Sequence, residues 1–330
     1  MLRCRSISHF VTISGSEMTS PPFSLDGSKH DLSTYSGRFF NFLGIVDPRT
    51  LFTSDEELNA ACDLLERFRN AGVGATAEKI GVTDDDLWEA KRVRDSVIHP
   101  TTGEKIFPML RMSSFAPMNI PIIAGMLNTT SVPGIIFWQW FNQSYNSAMN
   151  YANRSGGSMT NEELLKSYAI AVGASLTIAI GLKKIAPPAL ANNKWVVPYA
   201  AVAGAGSANV LATRSKEITE GVPVLDAEGK KVGVSREAGK QAVLKTILSR
   251  SLGLPIPVLV LPAAVMTAVP KSMPPRVRMI TELAVISASV GIAVPAAIAI
   301  YPPTLELDVS TLEAEFADVP GGKVYVNKGL

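Results

Sequence analysis

The stretch LAVISASVGIAVPAAIAIYPPTL, residues 283–305, runs for 23 residues without Asp, Glu, Lys or Arg. About 20 apolar residues in an α-helix span the roughly 30 Å hydrocarbon layer of a bilayer. Four further stretches without these residues precede it, at 112–153, 167–182, 195–213 and 251–270. Together the five hold 120 of the 330 residues, so all 60 charged residues lie in the remainder. Soluble folds do not segregate charge in this way, and the sequence predicts an all-α integral membrane protein with about five transmembrane helices.

The composition excludes several functional classes. The chain is 47% hydrophobic and 18% charged, with only two cysteines and three histidines. That supply gives neither a disulfide framework nor a local zinc, haem or iron–sulfur pattern, so we predict no metal site and no cofactor. A net charge of +2 is too balanced for a nucleic-acid surface, and no nucleic-acid partner is expected. No Gly-rich phosphate loop is present, which argues against an ATP-driven pump.

The charged part of the chain lies mainly before the first apolar stretch. Residues 1–30 are expected to form a poorly ordered tail, and its first 16 residues carry Arg3 and Arg5 but no acid. That composition fits a mitochondrial presequence and equally a simple unstructured tail. Residues 31–111 are expected to form a water-facing region of amphipathic helices. Ser54 with Glu57, and Thr83 with Asp86, have capping-box spacing ahead of apolar residues at helical intervals.

The membrane domain is predicted to cover residues 112–305. Its spans are expected at about 117–140, 167–184, 195–213, 251–270 and 282–302, with a hairpin and an amphipathic helix in the loop 214–250. Residues 306–330 are expected to form a C-terminal tail. An odd number of spans places the termini on opposite faces. In that topology the short basic loops 183–194 and 271–278 share the N-terminal face.

The segment FWQWFNQSYNSAMNYANR, residues 137–154, is the most informative for function. Asn142, Asn146 and Asn150 recur every four residues with Gln143 beside them, so one helix face would carry their amides. An amide in an apolar environment needs a partner, because leaving it unpaired costs roughly 2–7 kcal/mol. Two interpretations stay open: a polar lining that binds a small zwitterion, or hydrogen bonds between helices. Asn209, the one amide in a span of very small residues, has the same two interpretations.

Several short motifs also resemble those of a known family. HPTTGEK at 99–105, FWQWFNQSYN at 137–146, NYANRSG at 150–156, VPYAAVAGAGSANV at 197–210 and VYVNKGL at 324–330 stand in the order found in the sideroflexin family. The resemblance covers nearly the whole chain from Asp31. One departure is that Thr101 stands where the family's HPDTG motif has an acid, which puts a charge-dependent role of that turn in doubt.

The resemblance implies a multi-pass protein of the mitochondrial inner membrane. It would carry serine, and also alanine, cysteine or glycine, for one-carbon metabolism. It also adds His99 and Thr101 to the candidate site, as a turn near the mouth of the path on the N-terminal side. The alternative that the chain is a transport-deficient paralogue stays open.

The sequence therefore favours a carrier of small neutral amino acids, with serine first. The alternatives are a membrane scaffold or assembly factor for respiratory complexes, and a tricarboxylate (citrate) carrier. A citrate carrier should have several cationic side chains within its spans, whereas the five uncharged stretches have none and Lys183 and Lys184 stand only at the end of the second predicted span. An enzyme is not expected, because no Ser/His/Asp or Cys/His arrangement of nucleophile and base can be assembled with only three histidines. The expected partners are the small-molecule substrate and membrane lipid, and a homo-oligomer is left open.

The predicted substrate-binding residues form one set. They are Asn142, Gln143, Asn146 and Asn150, with Asn209 opposite them, and His99 with Thr101.

Overall fold

The fold is mainly helical. A computed structural model describes residues 20–100, 102–153, 160–300, 302 and 304–327. Within these ranges four helical segments are long and apolar enough to cross a membrane: Asn161–Ile185, Val196–Thr213, Arg236–Ala268 and Pro275–Ala299. The prediction of a helical membrane protein is confirmed.

The N-terminal region contains three α-helices around a small core. They are α1 (Tyr35–Ile45), α2 (Asp55–Asn70) and α3 (Asp84–Val97). Both predicted capping boxes are present at the starts of α2 and α3. Phe23 is buried against Phe68 and Trp88, with both ring centroids 4.9 Å away. Of the expected N-terminal tail, residues 1–19 lie outside the described residues, whereas Phe23 packs into this core.

The structure differs from the sequence prediction at the first span. The interval 117–140 holds parts of two helices, α4 (Phe115–Asn128) and α5 (Val132–Ala152), rather than one. The hydroxyl of Ser131 accepts a hydrogen bond from the Gly134 N–H, and Pro133 occupies the first turn of α5. These are the features of a helix start, so the chain ends one helix and begins another. The 21 residues of α5 extend about 31 Å.

The next helices follow as an antiparallel series. They are α6 (Asn161–Ile185), the short α7 (Pro188–Ala191), α8 (Val196–Thr213) and the short α9 (Ser215–Thr219). Small residues allow α6 and α8 to approach closely: a Cβ added at Gly204 would lie 2.1 Å from Ile178 Cδ1.

The last two spans contain π-helical turns. The first comprises α10 (Arg236–Thr246), two π-helical segments (Ile247–Gly253 and Ile256–Val260) and α11 (Leu261–Ala268). The second comprises α12 (Pro275–Ala288), a π-helical segment (Ser289–Ala293) and α13 (Val294–Ala299). Prolines 255, 257, 262 and 295 occur in or beside these turns. A proline removes one backbone donor, and the wider i→i+5 pairing lets the helix continue past it.

The N-terminal region and the end of the last span meet on one face of the bundle. The Tyr35 hydroxyl donates to the Ala296 carbonyl at 3.2 Å, and Arg38 Nε donates to the Ala299 carbonyl at 2.7 Å. This contact contradicts the expectation that the two ends of the membrane domain lie on opposite faces. The hairpin of α4 and α5 explains the difference, because it adds one more passage between the faces. The loops 183–194 and 271–278 therefore lie on the face opposite the N-terminal region.

A four-stranded antiparallel sheet joins the loop 214–250 to the C-terminal segment. Its strands are β1 (Val222–Leu225), β2 (Lys231–Ser235), β3 (Thr304–Asp308) and β4 (Lys323–Asn327), in the order β2-β1-β4-β3. The hairpin expected around Asp226 is β1 with β2. The residues expected to form a tail from 306 onward instead supply β4 and most of β3, because Leu307, Val324 and Val326 bury their side chains against β1 and α10.

Candidate functional site

Helix α5 carries a row of amides on one side. Gln139, Asn142, Gln143 and Asn146, which we call the amide face, fall within about 100° of the helix circumference. Gln139 is 1% exposed, Asn142 4% and Gln143 7%, while Asn146 is half-buried. Asn150, the last of the predicted ladder, is exposed. Burial of several amides within a membrane bundle is costly unless each one finds a partner.

The neighbours of α5 show which way the amide face points. On one side α6 contacts it, through Ser175 Oγ donating to Gln139 Oε1 at 2.8 Å and a 2.8 Å hydroxyl pair between Ser144 and Tyr168. On another side lies the start of α4, where the Tyr145 hydroxyl donates to the Ser114 carbonyl at 3.3 Å. Asn142 lies on the arc between these two directions. The amide face is therefore directed to the interior of the bundle, between α4 and α6.

Asn142 is the residue whose hydrogen bonding is least complete. Its Oδ1 accepts from Asn146 Nδ2 at 3.4 Å, a long hydrogen bond. Its Nδ2 is buried and has no hydrogen-bond partner among the residues that the structure describes. A buried donor without a partner costs about 1–3 kcal/mol relative to one in water. An amide that only joined two helices would have that partner in the bundle.

Asn209 reaches the same part of the bundle from α8. It is half-buried and lies two helical turns after Val202, whose side chain packs against the hydrophobic core of the bundle. Helix α6 gives a common scale for the depth of α5 and α8 in the bundle. Gly204 of α8 lies beside Ile178, and Gln139 of α5 lies beside Ser175. Counted along the helices from these contacts, Asn209 and Asn142 differ in depth by about one turn at most. The predicted pairing of α5 and α8 amides is therefore compatible with the packing and stays a prediction.

The structure adds polar residues that the sequence reasoning missed. Gln139 is one turn before Asn142, and Ser175 is its partner on α6. Ser251, in the first π-helical segment, is 3% exposed, and its hydroxyl has no partner among the described residues. Its Oγ would be 3.1 Å from a Cβ placed at Gly206 of α8. The signal for Gln139 was present in its i−3 spacing from Asn142, whereas nothing in the local sequence brings Ser251 to α8.

His99 lies in a tight turn outside the bundle. The His99 N–H donates to the Glu104 carbonyl at 2.9 Å, and the Thr102 N–H donates to His99 Nδ1 at 3.2 Å. Nδ1 thus acts as an acceptor within this turn. Gly103 closes the turn with φ of 70°, a conformation that favours glycine. Thr101, the other residue predicted here, lies outside the described residues.

The chain after this turn connects it to α5. Asn153 Nδ2 donates to the Leu110 carbonyl at 2.9 Å, which fixes the segment against the C-terminal end of α5. The turn is therefore on the face of the bundle where α5 ends. Its predicted role at the mouth of the path stays a prediction.

An open groove lies on the neighbouring side of α5. It has a volume of about 390 Å³ and runs between α5 and α6, lined by Ser147, Tyr151, Asn161, Leu164, Leu165 and Tyr168. Its α5 residues are rotated away from Asn142, and Leu165 is 66% exposed. The groove is thus a surface feature beside the amide face, and its lining does not include Asn142.

Charged side chains make hydrogen bonds at the two ends of the bundle. At one end Asn128 bridges two of them: its Nδ2 donates to Glu282 Oε1 at 3.0 Å, and its Oδ1 accepts from Lys194 Nζ at 3.2 Å. At the other end Arg214 donates to Glu217 and to the Thr246 hydroxyl. The four residues of the amide face carry no formal charge, so the arrangement suits a solute with no net charge but with groups that donate and accept hydrogen bonds.

Comparison with known proteins assigns the family. The sequence model of the family described as Sideroflexins matches residues 24–330. The chain is 37% identical to human Sideroflexin-5, over 94% of both chains. It is 40% identical to a Sideroflexin of Dictyostelium discoideum, over 94% of this chain and 98% of the relative. Mouse Sideroflexin-3 is 36% identical over 91% of this chain and 95% of its own length. No solved structure matches.

Proposed function

The chain belongs to the sideroflexin family, and we propose that it carries small neutral amino acids, serine first, across the mitochondrial inner membrane. The observation that carries the proposal is Asn142, a buried amide directed into the bundle whose Nδ2 has no partner among the described residues. A solute that accepts a hydrogen bond from Asn142 Nδ2 would supply the missing partner.

The amide face offers the complementary groups for a zwitterion. Amide N–H groups donate to the carboxylate of an amino acid, and amide oxygens accept from its ammonium and from the hydroxyl of serine. Because the face has no formal charge, it would balance neither a net anion nor a net cation in a low-dielectric site. That absence of charge disfavours citrate as the substrate.

The mitochondrial inner membrane is part of the same proposal. It is supported by the acid-poor first 16 residues with Arg3 and Arg5, which resemble a presequence. Supply of serine to one-carbon metabolism would follow from that location. The scaffold hypothesis predicts that the protein is needed by a respiratory complex but does not move serine.

The test is uptake by the purified full chain in liposomes. Labelled serine should accumulate, and labelled citrate should not. Asn142→Ala should reduce serine uptake at least about tenfold, the effect of losing about 1.4 kcal/mol of binding. Asn150→Ala, an exposed amide on the same helix, should keep most of it and is the matched control.

Two results would overturn the proposal. Wild-type liposomes that never accumulate serine would support the scaffold hypothesis. Equal uptake by the Asn142→Ala and wild-type proteins would exclude the amide face as the path.

A further inference from the structure

Helix α1 differs in composition from the other helices of the N-terminal region. It has one charged residue, Arg38, among 11, whereas α2 has seven among 16. Six of its residues are large and apolar or aromatic: Tyr35, Phe39, Phe40, Phe42, Leu43 and Ile45. At about 16 Å long it is too short to cross a bilayer. Such a helix favours an apolar environment, but it cannot reach one by crossing the bilayer.

The position of α1 places it where the last span ends. Tyr35 and Arg38 donate hydrogen bonds to the Ala296 and Ala299 carbonyls, in the last turn of α13. Arg38 also donates to the Leu32 and Ser33 carbonyls, at 3.0 and 2.7 Å. These contacts hold the start of α1 beside the membrane helix at the depth of its final turn.

Contact with α13 leaves much of α1 uncovered. Tyr35 is 49% exposed and Phe40 54%. Beside them Ile300, the residue that follows α13, is 58% exposed. Exposed apolar side chains therefore occur both at the end of the last span and on α1, which contacts it.

Two other short elements expose apolar side chains in the same way. Phe52 is 85% exposed at the end of the 3₁₀-helix Pro48–Phe52, which packs against the residues that lead into α4. Phe107 and Met109 are 61% and 48% exposed in the segment fixed to the end of α5. We call the set Tyr35, Phe40, Ile45, Phe52, Phe107 and Met109 the apolar rim.

The rest of the region behaves as a water-soluble surface. Among residues 20–100 and 102–111, the exposed large hydrophobic residue outside the rim is Val73, in the turn after α2. The exposed faces of α2 and α3 are instead rich in acids, such as Asp55 and Asp85. Apart from Val73, the exposed large hydrophobic residues of this region thus lie on the elements that touch the ends of membrane helices, which is not the pattern of a fully hydrated domain.

We propose that the apolar rim lies in the headgroup and upper acyl layer of the bilayer, with α1 as an interfacial helix along the membrane surface. Aromatic side chains favour this layer, because their rings are apolar and the tyrosine hydroxyl remains near water. The guanidinium of Arg38 lies at the same level, where cations meet lipid phosphates. The water-facing part of the N-terminal region is then α2 and α3, with α1 at the lipid.

The test uses the full chain in phosphatidylcholine vesicles, with Cys4→Ala and Cys62→Ala as background. A nitroxide is attached to Phe40→Cys and, separately, to Val73→Cys as the matched exposed control. Collisions with oxygen, which concentrates in lipid, are compared with collisions with a water-soluble nickel chelate. The Phe40 label should show an oxygen-to-nickel collision ratio several-fold higher than the Val73 label.

A third label at Phe107→Cys tests the rim on a different element, so the proposal does not depend on the folding of one variant. Labels at 40 and 107 that resemble the label at 73 would overturn it. Low collision rates with both probes would also overturn it, because the rim would then be covered by protein, either a second copy or a partner.

Discussion

The α2–α3 region and the α5–α6–α8 bundle satisfy their polar groups in opposite ways. In the first, Arg92 reaches both Asp47, at 2.8 Å, and Glu89, and the Thr83 hydroxyl and Asp86 carboxylate cap α3 reciprocally. In the second, Asn142 keeps a buried N–H without a partner among the described residues. Water offers every polar group in the first region an alternative partner. The bundle interior does not, and the proposed solute site rests on that incomplete amide.

The two regions should also differ in the interactions that stabilise them. Close backbone approach, rather than charge, should hold the bundle together, and Gly125 tests this most strongly. A Cβ at Gly125 would lie 2.1 Å from Cε2 of the Trp138 indole, so Gly125→Ala must displace a rigid ring between α4 and α5. We expect a loss of about 2 kcal/mol, measured as a lower Tm in detergent.

Gly173→Ala is the control for that variant, because a Cβ there meets no atom within 4 Å. It should leave Tm unchanged or raise it slightly, since alanine favours the helix. If the two variants were equally stable, the close packing of α4 on α5 would not be a determinant of the bundle's stability.

The two regions should also differ, by a smaller amount, in how their stability depends on pH. The hydrogen bonds from the Arg92 guanidinium lower the pKa of Glu89 below its ordinary value of 4.5. A carboxylate with a lowered folded pKa stabilises the fold above the unfolded pKa, and that contribution is lost as the pH falls through the folded value. Glu89 is 58% exposed, so solvent screening limits the loss to about 0.5 kcal/mol.

Hydrogen exchange is the measurement for this prediction. After correction for the intrinsic pH dependence, amides of α3 should exchange about twofold faster at pH 4 than at pH 7, while those of α8 should not change. Arg92→Met should reduce the difference in α3, and the part that remains belongs to Asp85, whose pKa is lowered by hydrogen bonds from Lys29 and Ser20. Equal acid sensitivity of α3 and α8 would contradict the contrast between the regions.

Local signals were sufficient to predict part of this structure. The capping boxes of α2 and α3 follow from residues three apart, and spacing alone placed Asn142 and Asn146 on one face. The start of α5 was missed because residues 117–140 were predicted to form one span, although Pro133 lies inside it. Ser131 as a cap and Pro133 in the first turn instead mark the start of a helix. The additional helix places every later loop on the face opposite to the one expected.

Other features depend on partners distant in sequence. Strand β4 pairs with β1, about a hundred residues earlier, so the C-terminal segment gave no local sign of a sheet. Ser251 meets Gly206 only when two spans pack together. Asn150 has the spacing of the ladder but lies near the end of α5, where the neighbouring elements no longer cover it.

Thermal unfolding of the purified chain with and without serine tests whether Asn142 binds solute rather than another helix. A bound ligand raises the stability of the folded state. Serine should raise the Tm of the wild-type protein. Asn142→Ala should be at least as stable as wild type without serine, because it removes an unpaired buried donor, and serine should no longer shift its Tm. A variant with a lower Tm and an undiminished serine shift would contradict the account, because Asn142 would then be a structural amide and the binding site would lie elsewhere.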